Sequence, residues 1–246
     1  MISFNKEQIY IVTGASSGIG EGTALLLNEL GATVIGIARN EERLNAMRNK
    51  CKYPENMHLE IKDLAEDIEN LPQYIKELKN KYGKLSGLAY CAGIVEVKPL
   101  QLLDLHEMRK LFDINYFVPI MMAKGFADKR NNIGKGTSMV FIASIAGVHC
   151  DRAMTTYSGS KAALTASVKS IARELAPHYI RVNSVSPSDI ITPLTSGVDG
   201  LRARKEPLYP MGLGEVNDVA NMIIYLLSDK SKWITTQNYI VDCGYM

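Results

Sequence analysis

With 246 residues, 46% of them hydrophobic and 22% charged, the chain is long enough to bury a substantial core, and it is read as one large domain over 1–246. Its 28 lysines and arginines nearly balance 26 aspartates and glutamates, with no block of like charge, which argues against nucleic acid or a polybasic membrane patch as a partner. Four scattered cysteines (51, 91, 150, 243) and four unpaired histidines (58, 106, 149, 178) lack metal or disulfide spacing, and no leader plan or membrane-length apolar run is present, so a cytoplasmic protein with reduced thiols is expected.

The first apolar run, QIYIVTG at 8–14, leads into TGASSGIG at 13–20 and then into a helical pattern at 20–31. TVIGIA (33–38) precedes a helical stretch at 40–50, MHLEI (57–61) one at 68–83, and GLAYCAG (87–93) one at 106–126. SMVFIAS (138–144) precedes a helix at 158–177, and IRVNSVS (180–186) precedes an irregular segment at 187–214 containing four prolines. A helical pattern at 215–229 and NYIVD at 238–242 complete the chain. The strands are short, β-branched and nearly continuous in apolarity, as in a parallel sheet covered on both faces. Their alternation with helices predicts an α/β, doubly wound Rossmann fold of about seven parallel strands, with 187–214 as a loop or lid.

Glycines 14, 18 and 20 lie between the first strand and its helix. There a backbone free of Cβ atoms lets a phosphate approach, and the helix N-terminus offers free N–H groups and a positive dipole end. The spacing is GxxxGxG rather than GxGxxG, and the strand, turn and helix context favours a dinucleotide over a turn that is mere punctuation. At the end of the second strand an NAD-selective protein usually carries an acid, about 20 residues beyond the glycines. This chain has Ala38 followed by Arg39, which favours the 2′-phosphate of NADP(H). The competing reading makes Arg39 an exposed residue leading a helix capped by Asn40. Asp63 either holds the adenine or caps a helix, and the two readings are evenly balanced.

Tyr157 and Lys161 in YSGSK are four residues apart, so on a helix they share a face. An ammonium beside a phenol, joined by the charge of an oxidised nicotinamide, is expected to pull the phenol down from about 10 towards neutrality and make it an acid/base catalyst. Ser144, at the carboxyl end of a strand, sits where open α/β sheets bind ligands and is able to hydrogen-bond the same carbonyl oxygen.

The glycine turn, CAG at 91–93, Asn115 in FDIN, Ser144 in IASIAG, YSGSK at 157–161 and RVNSVSP at 181–187 occur in the order and spacing of the short-chain dehydrogenases/reductases, and the resemblance covers essentially the whole chain. It implies that Tyr157 is the acid/base, Lys161 its activator and a ribose ligand, Ser144 the carbonyl-orienting hydroxyl and Asn115 part of a proton relay. It further implies cofactor contacts at Gly14, Ser16, Ser17, Gly18, Ile19, Gly20, Asp63, Leu64, Cys91, Ala92, Gly93 and Pro187, with Ile190 and Thr192 at the nicotinamide end. Three positions depart from the family pattern: Cys91 replaces an asparagine, Ser188 a glycine, and Cys243 the first glycine of DGG.

The activity expected is reduction of a carbonyl, or oxidation of a secondary alcohol, on a small polar, sugar-linked or carrier-linked molecule. β-Ketoacyl-(acyl-carrier-protein) reductases and reductases of polysaccharide biosynthesis are the nearest patterns. Arg202, Arg204 and Lys205 are either acid-binding or merely solvated, and His149 and Asp151 are candidates for the substrate mouth. A non-catalytic NADP-binding sensor or scaffold is the alternative from another class. Apolar surface on the helices at 115–126 and after YSGSK suggests a homo-oligomer, a dimer or tetramer.

Overall fold

The computed structural model describes residues 1–194 and 206–245. Seven strands form one parallel sheet: β1 (Ile9–Thr13), β2 (Thr33–Ala38), β3 (Met57–Ile61), β4 (Leu85–Tyr90), β5 (Ser138–Ile142), β6 (Arg181–Pro187) and β7 (Asn238–Val241). Their spatial order is β3-β2-β1-β4-β5-β6-β7. The order reverses between β1 and β4, whose pairing ends at Thr13 beside Tyr90. That switch point leaves a crevice beyond the carboxyl ends of the strands.

Among the described residues the α-helices are α1 (Gly18–Glu29), α2 (Glu41–Arg48), α3 (Leu71–Tyr82), α4 (Leu105–Phe112), α5 (Val118–Ala127), α6 (Thr155–Leu175) and α7 (Val216–Leu227). Alternation along each strand divides the core in two. Ile9 and Ile11 pack with Leu78 of α3, Phe126 of α5 and Val168 of α6, whereas Tyr10 and Val12 pack with Leu27 of α1, Met47 of α2 and Ile223 of α7. Helices α1 and α7 approach so closely that a Cβ at Gly22 would overlap Val216.

Buried Arg181, at the start of β6, has carbonyl and hydroxyl partners instead of a carboxylate. It donates to Ser228 O (3.1 Å), Ser231 Oγ (2.9 Å) and Ile234 O (3.3 Å), so it satisfies acceptors just beyond α7, where the helix dipole also favours a cation.

The helix expected over 106–126 is not continuous. Between α4 and α5 the backbone widens into a π-turn at Asp113–Phe117, with Val118 N–H bonding Asp113 O. Pro119 accounts for it: proline has no N–H to give the carbonyl of Asn115 four residues earlier, and its ring clashes with that carbonyl in a regular α-helix. Residues 91–93, expected in the fourth strand, lie beyond the end of β4. Among the described residues no helix is long and apolar enough to cross a membrane.

Candidate active site

The crevice holds a cavity of about 200 Å³ whose lining includes Gly14, Ser17, Gly18, Ile19 and Gly20 from the glycine turn and Cys91, Ala92 and Gly93 from the segment after β4. Thr13 Oγ1 accepts from the N–H groups of Cys91 (3.0 Å) and Ala92 (3.1 Å), which draws that segment off the sheet and under the turn. Gly14 has φ +67°, and a Cβ there would lie 3.1 Å from Ala92 Cα; at Gly20 it would overlap the Gly14 carbonyl. Ser17 is the N-cap of α1 but makes no side-chain cap bond, leaving first-turn N–H groups for an anion. A glycine cradle with unclaimed donors fits a pyrophosphate.

Ser144, Tyr157 and Lys161 line the same cavity. Lys161 is buried, donates from Nζ to Ile142 O at 2.9 Å, and holds Nζ 5.8 Å from the Tyr157 ring centroid. Burial lowers Lys161 from 10.5 to about 8, opposed by the nearby Cys91 thiol. For Tyr157 the balance differs from the expectation. Burial raises the phenol above 10.0, a hydrogen bond with Ser144 lowers it, and the Asp189 charge raises it. Removing the phenolate from water outweighs the hydrogen bond from Ser144 that favours it. Ser144 Oγ accepts from Ala146 N–H at 3.1 Å, so its own proton is available to a partner in the cavity.

Asn115, fully buried in the π-turn, does not line the cavity but stands behind it. Its Oδ1 accepts from Ile94 N–H (3.0 Å), and its Nδ2 donates to Ile94 O (2.9 Å) and Ser160 Oγ (3.2 Å). A Cβ at Gly93 would be 3.1 Å from Asn115 Oδ1 and 3.5 Å from Lys161 Nζ, so these two side chains converge at that glycine.

Arg39 lies outside the cavity, 72% exposed, with Nη1 3.3 Å from Asp63 Oδ2. Asp63 also accepts from Ala65 N–H at 3.0 Å, and Asn40 caps α2 by accepting from Arg43 N–H at 2.8 Å. Ser16 is outside the lining, and the Leu64 side chain is buried in the core beneath the sheet. The Cys91 thiol is pushed up to about 12 by burial, against a hydrogen bond with Thr23 and the Lys161 charge, and so is inert as a nucleophile.

Pro187, Ile190 and Thr192 also line the cavity. Thr192 approaches Gly18, where a Cβ would meet it at 3.3 Å. Sequence reasoning did not assign roles to Ile94 or Ile142, which also line the cavity, and it treated Ser188 only as a departure from pattern. Tyr209, whose hydroxyl is 2.6 Å from Ser188 Oγ, had no signal, because it is far along the chain from β6 and belongs to no periodic pattern. His149 is exposed and packs edge-on against Tyr245. Arg202, Arg204 and Lys205 lie outside the described residues. A wider groove of about 460 Å³ beside α6 and the segment entering β7 contains none of these catalytic or cofactor candidates.

The family described as Enoyl-(Acyl carrier protein) reductase matches residues 14–246. A 3-oxoacyl-(acyl-carrier-protein) reductase of Thermotoga maritima is 30% identical over 96% of this chain and 97% of its own. An NAD-dependent glycerol dehydrogenase of Listeria innocua is 31% identical over 97% of this chain and 94% of its own. The solved structure of a short-chain type dehydrogenase/reductase from Mycobacterium ulcerans superposes with a TM-score of 0.89 at 30% identity, covering 99% of this chain and 91% of that one. The glycine cradle at the switch point, the YSGSK helix beside Ser144 and these matches along the chain agree: the protein belongs to the short-chain dehydrogenase/reductase family of oxidoreductases, which uses nicotinamide cofactors.

Proposed function

We propose that the protein is an NADP(H)-dependent oxidoreductase that interconverts a ketone and a secondary alcohol, with Tyr157 as general acid/base. The observation that carries this reading is that Ser144, Tyr157 and Lys161 share one cavity with the glycine turn. Gly14, Ser17, Gly18, Ile19 and Gly20 hold the pyrophosphate, and Arg39 takes the 2′-phosphate. Asp63, Cys91, Ala92 and Gly93 border the adenosine half, and Leu64, whose side chain is in the core, offers only its backbone there. Pro187, Ile190 and Thr192 border the nicotinamide, and Lys161 reaches the adjoining ribose. The bound nicotinamide supplies or accepts the hydride.

The protein's part is to hold the carbonyl and manage one proton. A Tyr157 phenol raised above its ordinary value stays protonated at neutral pH and is ready to donate to the carbonyl oxygen. Ser144, with its oxygen engaged by Ala146 N–H, donates to that same oxygen and to the phenolate left after transfer. Lys161, titrating near 8, is mostly an ammonium at neutral pH and stabilises the phenolate. Asn115, tied to Ile94 on both sides of its amide, fixes the segment after β4 and borders the route by which the proton is replaced.

Cofactor preference rests on Ala38 and Arg39, since a relative of this family is named as NAD-dependent. The substrate class proposed is a small polar, sugar-linked or carrier-linked ketone, and the protein acts as a homo-oligomer. The test is NADPH oxidation with acetoacetyl thioester, ethyl acetoacetate, cyclohexanone and dihydroxyacetone, repeated with NADH. Turnover of one or more ketones with NADPH ahead of NADH supports the reading. Tight NADPH binding without turnover of any ketone would favour the sensor alternative.

A further inference from the structure

Two of the three departures from the family pattern, Ser188 and Cys243, meet on the same short turn. Ser188 lines the cavity, and its Oγ lies 2.6 Å from Tyr209 Oη, which donates to Asp189 Oδ2 at 3.0 Å. The turn that carries Tyr209 is closed by Gly212 N–H on Tyr209 O (3.1 Å), and Cys243 Sγ approaches Gly212 O at 3.6 Å. From the other side, Ser188 N–H bonds Val241 O at 3.0 Å. The corner at 187–189 is held by the end of β7, by Gly214 N–H on Asp189 O (3.2 Å) and by the Tyr209 hydroxyl.

Tyr209 is in turn held by the C-terminal tail. Its ring is 6% exposed and stacks on Tyr245, with centroids 4.8 Å apart and planes at 14°. Tyr245 meets His149 edge-on at 6.2 Å and 88°, and His149 N–H bonds Ile145 O (2.7 Å) in the turn that begins at Ser144. Tyr245 reaches this position because the chain reverses after β7. Cys243 and Gly244 have φ 51° and 82°, and Tyr245 N–H closes the turn on Asp242 O at 3.1 Å. Two successive left-handed residues suit glycine or asparagine, and a cysteine is held there against a steric penalty. Strain retained at that position, together with a hydroxyl at 188 that finds Tyr209, gives the tail turn a specific product: the stacked pair.

We propose that Tyr209 is a positioning residue of this active site, its hydroxyl fixing the 187–189 corner against the cavity, and that Tyr245 is the clamp that keeps Tyr209 in place. The proposal rests on the reductase reading for its effect on turnover, and on the structure alone for the clamp. The two rings have different requirements. Tyr209 needs its hydroxyl, whereas Tyr245 needs only its ring, because its hydroxyl makes no hydrogen bond among the described residues.

The test uses full-length Tyr209→Phe, Tyr245→Phe and Tyr245→Ala. Hydrogen exchange of the Ser188 amide is measured by fragment mass spectrometry, and kcat and KM with NADPH and ethyl acetoacetate. Tyr209→Phe and Tyr245→Ala are expected to lower Ser188 protection and to cut kcat about tenfold, within the range that a misplaced reacting wall costs. KM should change less than kcat, with the thermal midpoint nearly unmoved. Tyr245→Phe is expected to match wild type in both readouts. Wild-type protection and kcat in Tyr209→Phe would overturn the positioning role. Equal damage from Tyr245→Phe and Tyr245→Ala would overturn the stacking clamp. If the wild type turns over no ketone, the reductase reading fails while exchange still decides the clamp.

Discussion

Lys161→Met removes the ammonium from the cavity while keeping an unbranched side chain one atom shorter, and its effect on stability is predicted to depend on pH. Lys161 titrates near 8 when folded, against 10.5 as its ordinary value, because burial disfavours its charge. The sign follows from proton binding. Between about 8 and 10.5 the unfolded chain retains a proton that the folded chain has lost, so stability rises with pH through that window; below it, the full penalty applies. That interval corresponds to about 3 kcal/mol at roughly 1.4 kcal/mol per pH unit. The substitution also takes the donor from Ile142 O, at 2.9 Å, which costs about 1–3 kcal/mol and changes little with pH. Near pH 7 the two effects largely offset each other, and Lys161→Met should be about as stable as wild type or somewhat more so. By pH 10 less than about 1 kcal/mol of the penalty remains in wild type, and the variant should trail by up to about 2 kcal/mol. Urea unfolding at fixed protein concentration from pH 7 to 10 measures the difference. A difference that stayed constant across that range would refute the claim that a charged lysine is buried here at a cost.

Arg39→Gln should weaken NADPH binding roughly 5- to 30-fold, as expected for one lost charge-assisted contact, and leave NADH unchanged; fluorescence titration of both cofactors checks it. The present Arg39–Asp63 pair is exposed on the arginine side and worth less than about 1 kcal/mol, so a phosphate displaces it readily. Asp63→Asn separates two roles in the same titration: if the acid only restrains Arg39, NADPH binding tightens, whereas if it holds the adenine, both cofactors weaken together. Arg181→Leu leaves the carbonyls of Ser228 and Ile234 without their cation and should cost about 2–4 kcal/mol in urea unfolding. Light scattering at working concentration should give a mass of at least two chains, and a monomer mass would sink the assembly proposal.

The repeating pattern of the sheet was legible because most strands are short apolar runs rich in β-branched residues and bounded by helices, and a parallel sheet covered on both faces has that signature. β2 and β3 fall where the runs do, at Thr33–Ala38 and Met57–Ile61. The misplacements have local causes. Residues 91–93 continue the apolar run of β4, but Thr13 Oγ1 captures the N–H groups of Cys91 and Ala92. Pro119 interrupts a helical pattern that periodicity alone reads as continuous, although a proline four residues after Asn115 was a usable signal. Tyr157 and Lys161 were legible because their spacing is that of a helix face. The balance of burial against charge at Tyr157 was not, since it depends on how the cavity closes around the ring. Nor were Tyr209 and Tyr245, which lie on separate irregular segments and meet only through the tail turn.

The central claim is that Tyr157 carries the proton, and Tyr157→Phe tests it most directly by removing one hydroxyl and leaving the ring. Steady-state turnover of the best ketone with NADPH, beside the NADPH dissociation constant of the same preparation, is the decisive measurement. If Tyr157 carries the proton, turnover falls by about 10²- to 10⁴-fold, the usual contribution of a positioned acid/base, while NADPH affinity stays within about twofold of wild type. Retention of more than roughly a tenth of wild-type turnover at unchanged NADPH affinity would contradict it.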